Sequence, residues 1–361
     1  MFIGSRRGRA KSASPSLSPE AKEAIIRASY RTILHRQADP VGLQNHLCLS
    51  GDTPEIFRAQ VAGSLSSSEE AILLRYPGRV VRSDDDITEF LKQGALAESS
   101  SPETLREYLD SHWFEPPSFD ADPQSDAYTQ GQMALYQRLS GFTYSLERER
   151  FKFDMQVALK SPYPYNTGSA WAVGDQLVAW GSIIRSMALA PGASVLEMGL
   201  GWGSVALQMA QMGYAVTGLD IEPQYVDLVR HRAQQIGVSI DLVLGDFFSV
   251  EQMDRKFDAV LFFESFHHCA DHIRLLDHMP RLLNPGGKLV FAGETVDRRL
   301  PYPWGINCSG HGVWAICTHG WLELAFREDY LLDLLSGRGW KVTKHDSESS
   351  ATAITYVCER A

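Results

Sequence analysis

Between Glu197 and Gly203 the chain reads Glu-Met-Gly-Leu-Gly-Trp-Gly. Gly199, Gly201 and Gly203, set between a strand and a helix, let the backbone turn sharply and approach a ligand closely at the carboxyl edge of a sheet. A dinucleotide fingerprint wants Gly or Ala at its last position, where this loop has Ser204. Glu197, two residues ahead of the first glycine, is a poor neighbour for a pyrophosphate and a good one for a cationic ligand. Asp220 ends the next strand, where a carboxylate can accept from both hydroxyls of a ribose. Asp246 follows the third strand, where an acid can meet an adenine amino group while Phe247 flanks the ring. Six of the 11 His fall between His267 and His319. His267 and His268 stand directly after a strand, where an imidazole offers a proton acceptor near neutral pH, and Glu264 is placed to orient it. Glu264, His267, His268, His272, His311 and His319 also offer an oxygen and nitrogen donor set. No pair among them makes a ligand signature such as H-E-x-x-H, and the reading taken is a site without metal.

From Pro191 onward, strands alternate with helices. Ser194 to Glu197, Ala215 to Asp220, Ile240 to Leu244, Asp258 to Phe262 and Lys288 to Ala292 read as short buried strands. Ser204 to Met212, Pro223 to Gln235 and Ile273 to Leu283 read as helices between them. This alternation predicts an α/β fold with a mostly parallel sheet covered on both faces. Asn284 to Gly287 reads as a turn before the fifth strand. Tyr330 to Ser336 is a last helix, and Lys341 to His345 and Thr352 to Val357 follow without a helix between them, so they should pair antiparallel. Glu294 to Glu328 is a long structureless insertion, and such loops are usually functional. It carries Trp304, Trp314 and Trp321 with Arg298, Arg299, Asn307, His311 and His319, aromatic faces beside polar donors that suit an amphipathic acceptor.

The 361 residues are 44% hydrophobic and 22% charged, values of a globular chain. The 34 Lys+Arg against 44 Asp+Glu leave a formal charge of −10, which disfavours nucleic-acid binding by bulk charge. Five scattered cysteines without a CxxC pair suit a reducing cytoplasm, and no apolar run is long enough to span a membrane. Four divisions follow. Residues 1–17, rich in Ser, Arg and Pro, are a tail without secretory character; 18–78 form a helical module; 79–150 are a helical and linker region; 151–361 carry the α/β domain.

In the helical module, Ser18-Pro19-Glu20 and Thr53-Pro54-Glu55 are helix starts, with a second helix beginning near Pro40. Tyr30-Arg31, Leu34, Arg36, Asp39-Pro40, Gly42-Leu43, Leu65, Ser67 and Glu69 resemble a bacterial helical module similar to phycobilisome-linker repeats. The resemblance implies an interaction role and a protein partner.

Val195 to Gly203, Leu219 to Ile221, Gly245 to Phe247, Asp258 to Ser265 and Leu282 to Leu289, in this order, resemble the class I methyltransferases that use S-adenosylmethionine. The resemblance implies a Rossmann-like seven-stranded sheet with a reversed last strand. It implies that Gly199, Gly201 and Gly203 contact the cofactor backbone. Glu197 would lie near its amino-acid end, Asp220 with Ile221 at the ribose, and Asp246 and Phe247 at the adenine. Tyr165 and Thr167, ahead of the sheet, would cover the cofactor, and Glu264 would line the pocket where cofactor and substrate meet. His267 or His268 is then the base for a hydroxyl acceptor. The acceptor expected is a surface-polysaccharide sugar or a related small molecule. The G-x-G-W-G form also resembles cyclopropane fatty acid synthases, which keeps carbon methylation or cyclopropanation of a lipid chain open, as is a non-catalytic cofactor-binding scaffold.

Overall fold

The computed structural model describes residues 17–34, 36–51, 53–66, 68, 70–71, 80–161, 163, 168–298 and 300–360. The tail up to residue 16, Ser67, Glu69, Tyr165, Thr167 and Arg299, all singled out in the sequence, lie outside these residues.

Helices Pro19–Ile33, Pro40–Leu47 and Pro54–Ser66 build the N-terminal module, each with proline at its start. Ser18 caps the first, accepting from Ala21 N–H at 3.2 Å, and Asp39 caps the second, accepting from Gly42 N–H at 2.8 Å. Ile26, Tyr30, Leu34, Phe57, Val61 and Leu65 close a small core of their own. Arg36 grips Glu70 in a fork at 2.8 and 2.9 Å and reaches Asp39 at 3.1 Å, so it holds the helices together. Helix Pro54–Ser66 leans on helix Glu328–Gly337 of the α/β domain.

The strands in chain order are β1 Val80–Val81, β2 Trp113–Phe114, β3 Ser194–Met198, β4 Ala215–Asp220, β5 Asp241–Leu244, β6 Phe257–Phe263, β7 Leu283–Ala292, β8 Trp304–Ile306, β9 Leu324–Phe326, β10 Trp340–His345 and β11 Thr355–Arg360. Seven of them form one sheet in the order β10-β11-β7-β6-β3-β4-β5. Only β11 runs against its neighbours: it pairs antiparallel with both β7 and β10, as the terminal hairpin predicts. Asn284 to Gly287 is more than the expected turn. Leu283 already pairs with Phe257, the register then shifts, and Lys288 rejoins opposite Ala259. The four residues are an irregularity inside β7, with Gly286 at φ +78° supplying the left-handed residue it needs.

The segment read as a helical and linker region packs into the sheet's own core. Trp113, Phe114, Tyr128 and Tyr136 are buried in one cluster with Leu196, Phe262 and Phe291. It holds helices Asp84–Ser100, Pro102–Asp110 and Asp126–Ser140, and β1 pairs parallel with β2, a contact the sequence pattern did not announce. The long insertion is not structureless. β8 and β9 pair antiparallel and enclose helix Gly310–His319, which packs on helices Pro102–Asp110 and Asp126–Ser140. Tyr128 donates to Trp304 O at 2.6 Å, Trp304 Nε1 donates to Pro123 O at 2.7 Å, and Gln132 accepts from Ile306 N–H at 3.0 Å. Gly310 marks a close approach of backbone to backbone: a Cβ there would sit 2.3 Å from the Leu109 carbonyl oxygen. Backbone cannot yield as a side chain can, so Gly310→Ala should cost about 1–3 kcal/mol of stability in a urea titration. An unchanged midpoint would show that the two helices are free to separate.

Candidate functional site

Strands β3, β4, β5 and β6 deliver their loops to one edge of the sheet, where a cavity of ≈ 980 Å³ opens. The loop after β3 is the first wall. Gly199 and Gly203 adopt φ of +78° and +68°, and a Cβ on either would meet Ser265 Cβ at 2.6 Å or Val229 Cγ2 at 2.3 Å. Only glycine satisfies both the dihedral and the space. Buried Arg232 braces this loop from behind, donating to the carbonyls of Trp202 (2.9 Å), Ala158 (2.8 Å) and Ser161. Nothing in the local sequence pattern marked Arg232 for that task.

Two carboxylates serve this half. Asp220 accepts from Gly201 N–H at 2.7 Å with one oxygen and from Glu222 N–H at 2.8 Å with the other. Burial pushes its pKa up to about 6 against those two bonds. Each oxygen keeps a second lone pair for a ligand hydroxyl. Glu197 is 2% exposed, and its Oε2 is buried without a hydrogen-bond partner among the described residues. Burial pushes its pKa up to about 8. A buried acid with an idle oxygen on a cavity wall is costly unless a cation meets it there, which fits the ammonium of S-adenosylmethionine. Asp246 accepts from Ser249 N–H at 2.9 Å, capping the short turn Phe247–Gln252, and Phe247 stands edge-on to Phe262. Both line the cavity, as does Ile221.

The other half is built around the turn Phe266–His268. Glu294, two residues past the end of β7, collects four N–H groups. Its Oε1 accepts from Ser265 and Phe266 at 3.0 Å each, and its Oε2 accepts from the His267 backbone at 3.0 Å and from His267 Nδ1 at 2.7 Å. Burial works to raise the Glu294 pKa, yet His267 and the backbone donors outweigh it and hold it below the usual range. An ionised Glu294 fixes a proton on His267 Nδ1 and leaves Nε2 outside that contact. That Nε2 lies 3.6 Å from Glu323 Oε2. The sequence reading gave the orienting role to Glu264. The structure gives it to Glu294, because Glu264 turns away at φ +50° and accepts instead from Gln176 at 3.4 Å. Glu264 stays open on the cavity side, and the protein packed around it raises its pKa to about 7.

His268 is a different case. Its Nδ1 forms an ion pair with Glu149 at 3.1 Å. Burial would lower its pKa, but Glu149, then Glu323 and Glu294, raise it to about 9. A charged imidazole cannot take a proton, so the base assignment narrows from two histidines to His267. Glu149 is itself held by Leu322 N–H at 2.9 Å. His267, His268 and Glu323 bring donor atoms within 4.8 Å of one another, a grouping that could hold a metal ion.

The remaining expected histidines separate. His272 is fully buried against Tyr330 Oη at 2.9 Å and is a core residue, its pKa lowered to about 3 by burial. His311 and His319 do line the cavity: His311 pairs with Asp110 at 3.0 Å and His319 packs on Trp321 with ring centres 4.5 Å apart. Of the insertion's other residues, Trp314, Trp321 and Asn307 face the cavity. Trp304 belongs to the core, and Arg298 is spent on Glu328 at 2.6 Å. Glu149 and Glu323 were missed because no motif surrounds them; Glu294 had one signal, an acid just past the carboxyl end of a strand.

Residues 196–291 match a family model described as a methyltransferase domain. A ubiquinone biosynthesis O-methyltransferase of Paramagnetospirillum magneticum is 38% identical over 133 residues, 36% of this chain and 49% of that protein. An S-adenosyl-L-methionine-dependent Diels-Alderase of Talaromyces variabilis is 26% identical over 189 residues, 48% of this chain and 61% of that protein. Among solved structures, the magnesium protoporphyrin IX methyltransferase of Synechocystis PCC 6803 with bound SAH is similar at 15% identity and a TM-score of 0.43, over 60% of this chain and 99% of that one. The chain spans about half the length of the curated relatives it matches. The glycine loop after β3, Asp220, Asp246 and the His267–His268 turn all fall inside the stretch that matches the methyltransferase-domain family.

Proposed function

We propose that this chain is an S-adenosylmethionine-dependent methyltransferase that methylates a hydroxyl oxygen. The observation that supports the reading is His267, its Nδ1 on Glu294, lining one cavity with the glycine loop; its Nε2 would be the proton acceptor. Gly199, Gly201 and Gly203 would carry the cofactor's methionine part, with Glu197 at its ammonium. Asp220 and Ile221 would hold the ribose, and Asp246 and Phe247 the adenine. Tyr165 and Thr167 keep their covering role in this proposal on the sequence resemblance alone. When bound, the cofactor supplies an electrophilic methyl group on a sulfonium.

This chain's residues then have two tasks. The cavity walls hold the acceptor in line and exclude water. His267 Nε2 takes the hydroxyl proton as the oxygen gives up its charge, and Glu294 steadies the imidazolium that forms. His268, kept charged by Glu149, places a positive group beside the oxygen. Trp314 and Trp321 beside Asn307 and His311 would hold a ring-shaped acceptor, of which a polysaccharide sugar is the sequence expectation. A protein partner for the N-terminal module and a reducing, cytoplasmic setting belong to the same proposal, supported by the resemblance of the module and by the free thiols. No helix among the described residues is long and apolar enough to cross a membrane.

Calorimetric titration with S-adenosylhomocysteine tests the reading: one site per chain is expected, and no heat of binding would end it. Binding without turnover of any acceptor would favour the scaffold, and methylation found at carbon would favour the lipid reading. Dialysis against EDTA should leave the rate unchanged. Loss of activity restored by a divalent ion would reassign His267, His268 and Glu323 as ligands and remove His267 as base.

A further inference from the structure

We propose that the acceptor is an uncharged ring bearing a phenolic hydroxyl, and that the cavity's own carboxylates turn away anionic acceptors. The proposal rests on the methyl-transfer reading and narrows its substrate class.

The first observation is charge. Among the described residues, the cavity lining includes no lysine and no arginine. It includes Glu98, Glu149, Glu264 and Glu323 on the acceptor side, with only the charged His268 to offset them. A concave site with low-dielectric walls focuses such a field. A carboxylate or phosphate entering it would shed its water, find only His268, already paired with Glu149, and face several like charges. Nucleotide-activated and acidic sugars are disfavoured on that ground, whereas a neutral molecule pays no such penalty.

The second observation is shape. Leu105, Leu109, Tyr144, Phe151, Trp314 and Trp321 supply the wall. These are flat or branched apolar surfaces from four separate chain segments, and they suit a planar ring lying between them. Leu105 and Leu109 come from helix Pro102–Asp110, so the region ahead of the α/β domain forms part of the acceptor wall.

The third is proton chemistry. A neutral imidazole accepts a proton from a phenol (about 10) far more readily than from an aliphatic hydroxyl, which is a much weaker acid. The group on the Glu294 carboxylate is an imidazole, so a phenolic oxygen is the acceptor it activates most readily. The bonds balance without a further reagent. The phenolic O–H breaks and its proton goes to His267 Nε2. The oxygen lone pair forms the new O–CH3 bond as the S–CH3 bond opens, leaving a neutral thioether.

The test uses the full chain saturated with S-adenosylhomocysteine for binding, and with S-adenosylmethionine for turnover. The probes are tyrosol and para-hydroxyphenylacetate, which share a phenol but differ by one negative charge, and methyl glucoside as the sugar. Tyrosol should bind at least tenfold more tightly than the acid and be methylated on its phenolic oxygen, not on its aliphatic one; methyl glucoside should not compete. Equal or tighter binding of the acid, no binding of tyrosol, methylation of the aliphatic oxygen, or preference for the glucoside would each overturn the proposal. Glu98→Lys changes an exposed helix position in the cavity lining, and it should narrow the tyrosol-to-acid binding ratio at least threefold. An unchanged ratio would overturn the electrostatic part. S-adenosylhomocysteine binding with tyrosol failure sinks only this proposal; absence of S-adenosylhomocysteine binding sinks the methyl-transfer reading beneath it.

Discussion

His267→Ala should lower kcat by about 10²–10⁴-fold while S-adenosylhomocysteine binds as before, because a positioned base contributes on that scale and the residue lies across the cavity from the cofactor half. The loss should fall on kcat more than on KM, since on the proposed mechanism His267 would act on the proton in flight and the aromatic walls would do the holding. Glu294→Gln should follow in the same direction. An amide oxygen can still accept, but its NH2 would face backbone N–H groups of Ser265, Phe266 or His267, which now point at a carboxylate. The imidazole would lose its fixed tautomer and the charge that steadies its protonated form. The His268→Gln variant separates the two histidines. With His268 serving as a charge and not as a base, it should keep most of the pH profile and lose rate by a smaller factor. Measured turnover on a methylated acceptor, paired with product-binding calorimetry, checks all three. A rate unchanged in His267→Ala would remove the base assignment altogether.

Cofactor affinity should rise with pH between about pH 6.5 and 7.5, by up to tenfold per unit, and Glu197→Gln should flatten that dependence. The sign follows from burial. In the ligand-free protein, Glu197 is pushed up to about 8 by burial, so most of it is protonated across this window. A cationic ammonium binds the carboxylate form, and binding must release the proton. The penalty for that release shrinks as pH climbs toward the raised pKa, while the ligand's ammonium stays charged. Glu197→Gln should also weaken binding by at least about 10-fold at the upper end, the direction expected when a desolvated ion pair loses one member. Calorimetry in two buffers of different ionisation enthalpy reads the proton release directly. Affinity falling with rising pH would place the ammonium elsewhere.

Asp220 adds a second signature, because burial pushes its pKa up to about 6 in spite of the N–H groups of Gly201 and Glu222. Its oxygens hold the glycine loop against the end of β4, so Asp220→Asn should disturb the loop as well as the ribose contact. Glu197 and Asp220 therefore act at opposite ends of the window and can be told apart by the pH at which each variant departs from the parent protein.

Much of this protein was legible before any coordinates. Strand, glycine turn and helix between Ser194 and Gln211 are local in the chain, and only glycine tolerates φ of +78° and +68° beside Ser265 and Val229. The reversed β11 follows from two adjacent strands with no helix to carry a crossover, and the proline-led helix starts of the N-terminal module are equally local. What the tertiary structure alone decided is which histidine does what. His267, His268 and His272 lie within six residues, yet one meets Glu294, one meets Glu149 and one is sealed in the core against Tyr330. An imidazole's protonation and tautomer are set by the carboxylate on its Nδ1 and by its burial, and those partners arrive from 27 residues downstream and from over 100 residues upstream. The same holds for the acceptor wall, where helix Pro102–Asp110 meets the insertion only because both bury their apolar faces in the sheet's core. Short-range sequence rules register dihedral need and periodicity; charge pairing across such separations is fixed only once the chain has closed on itself.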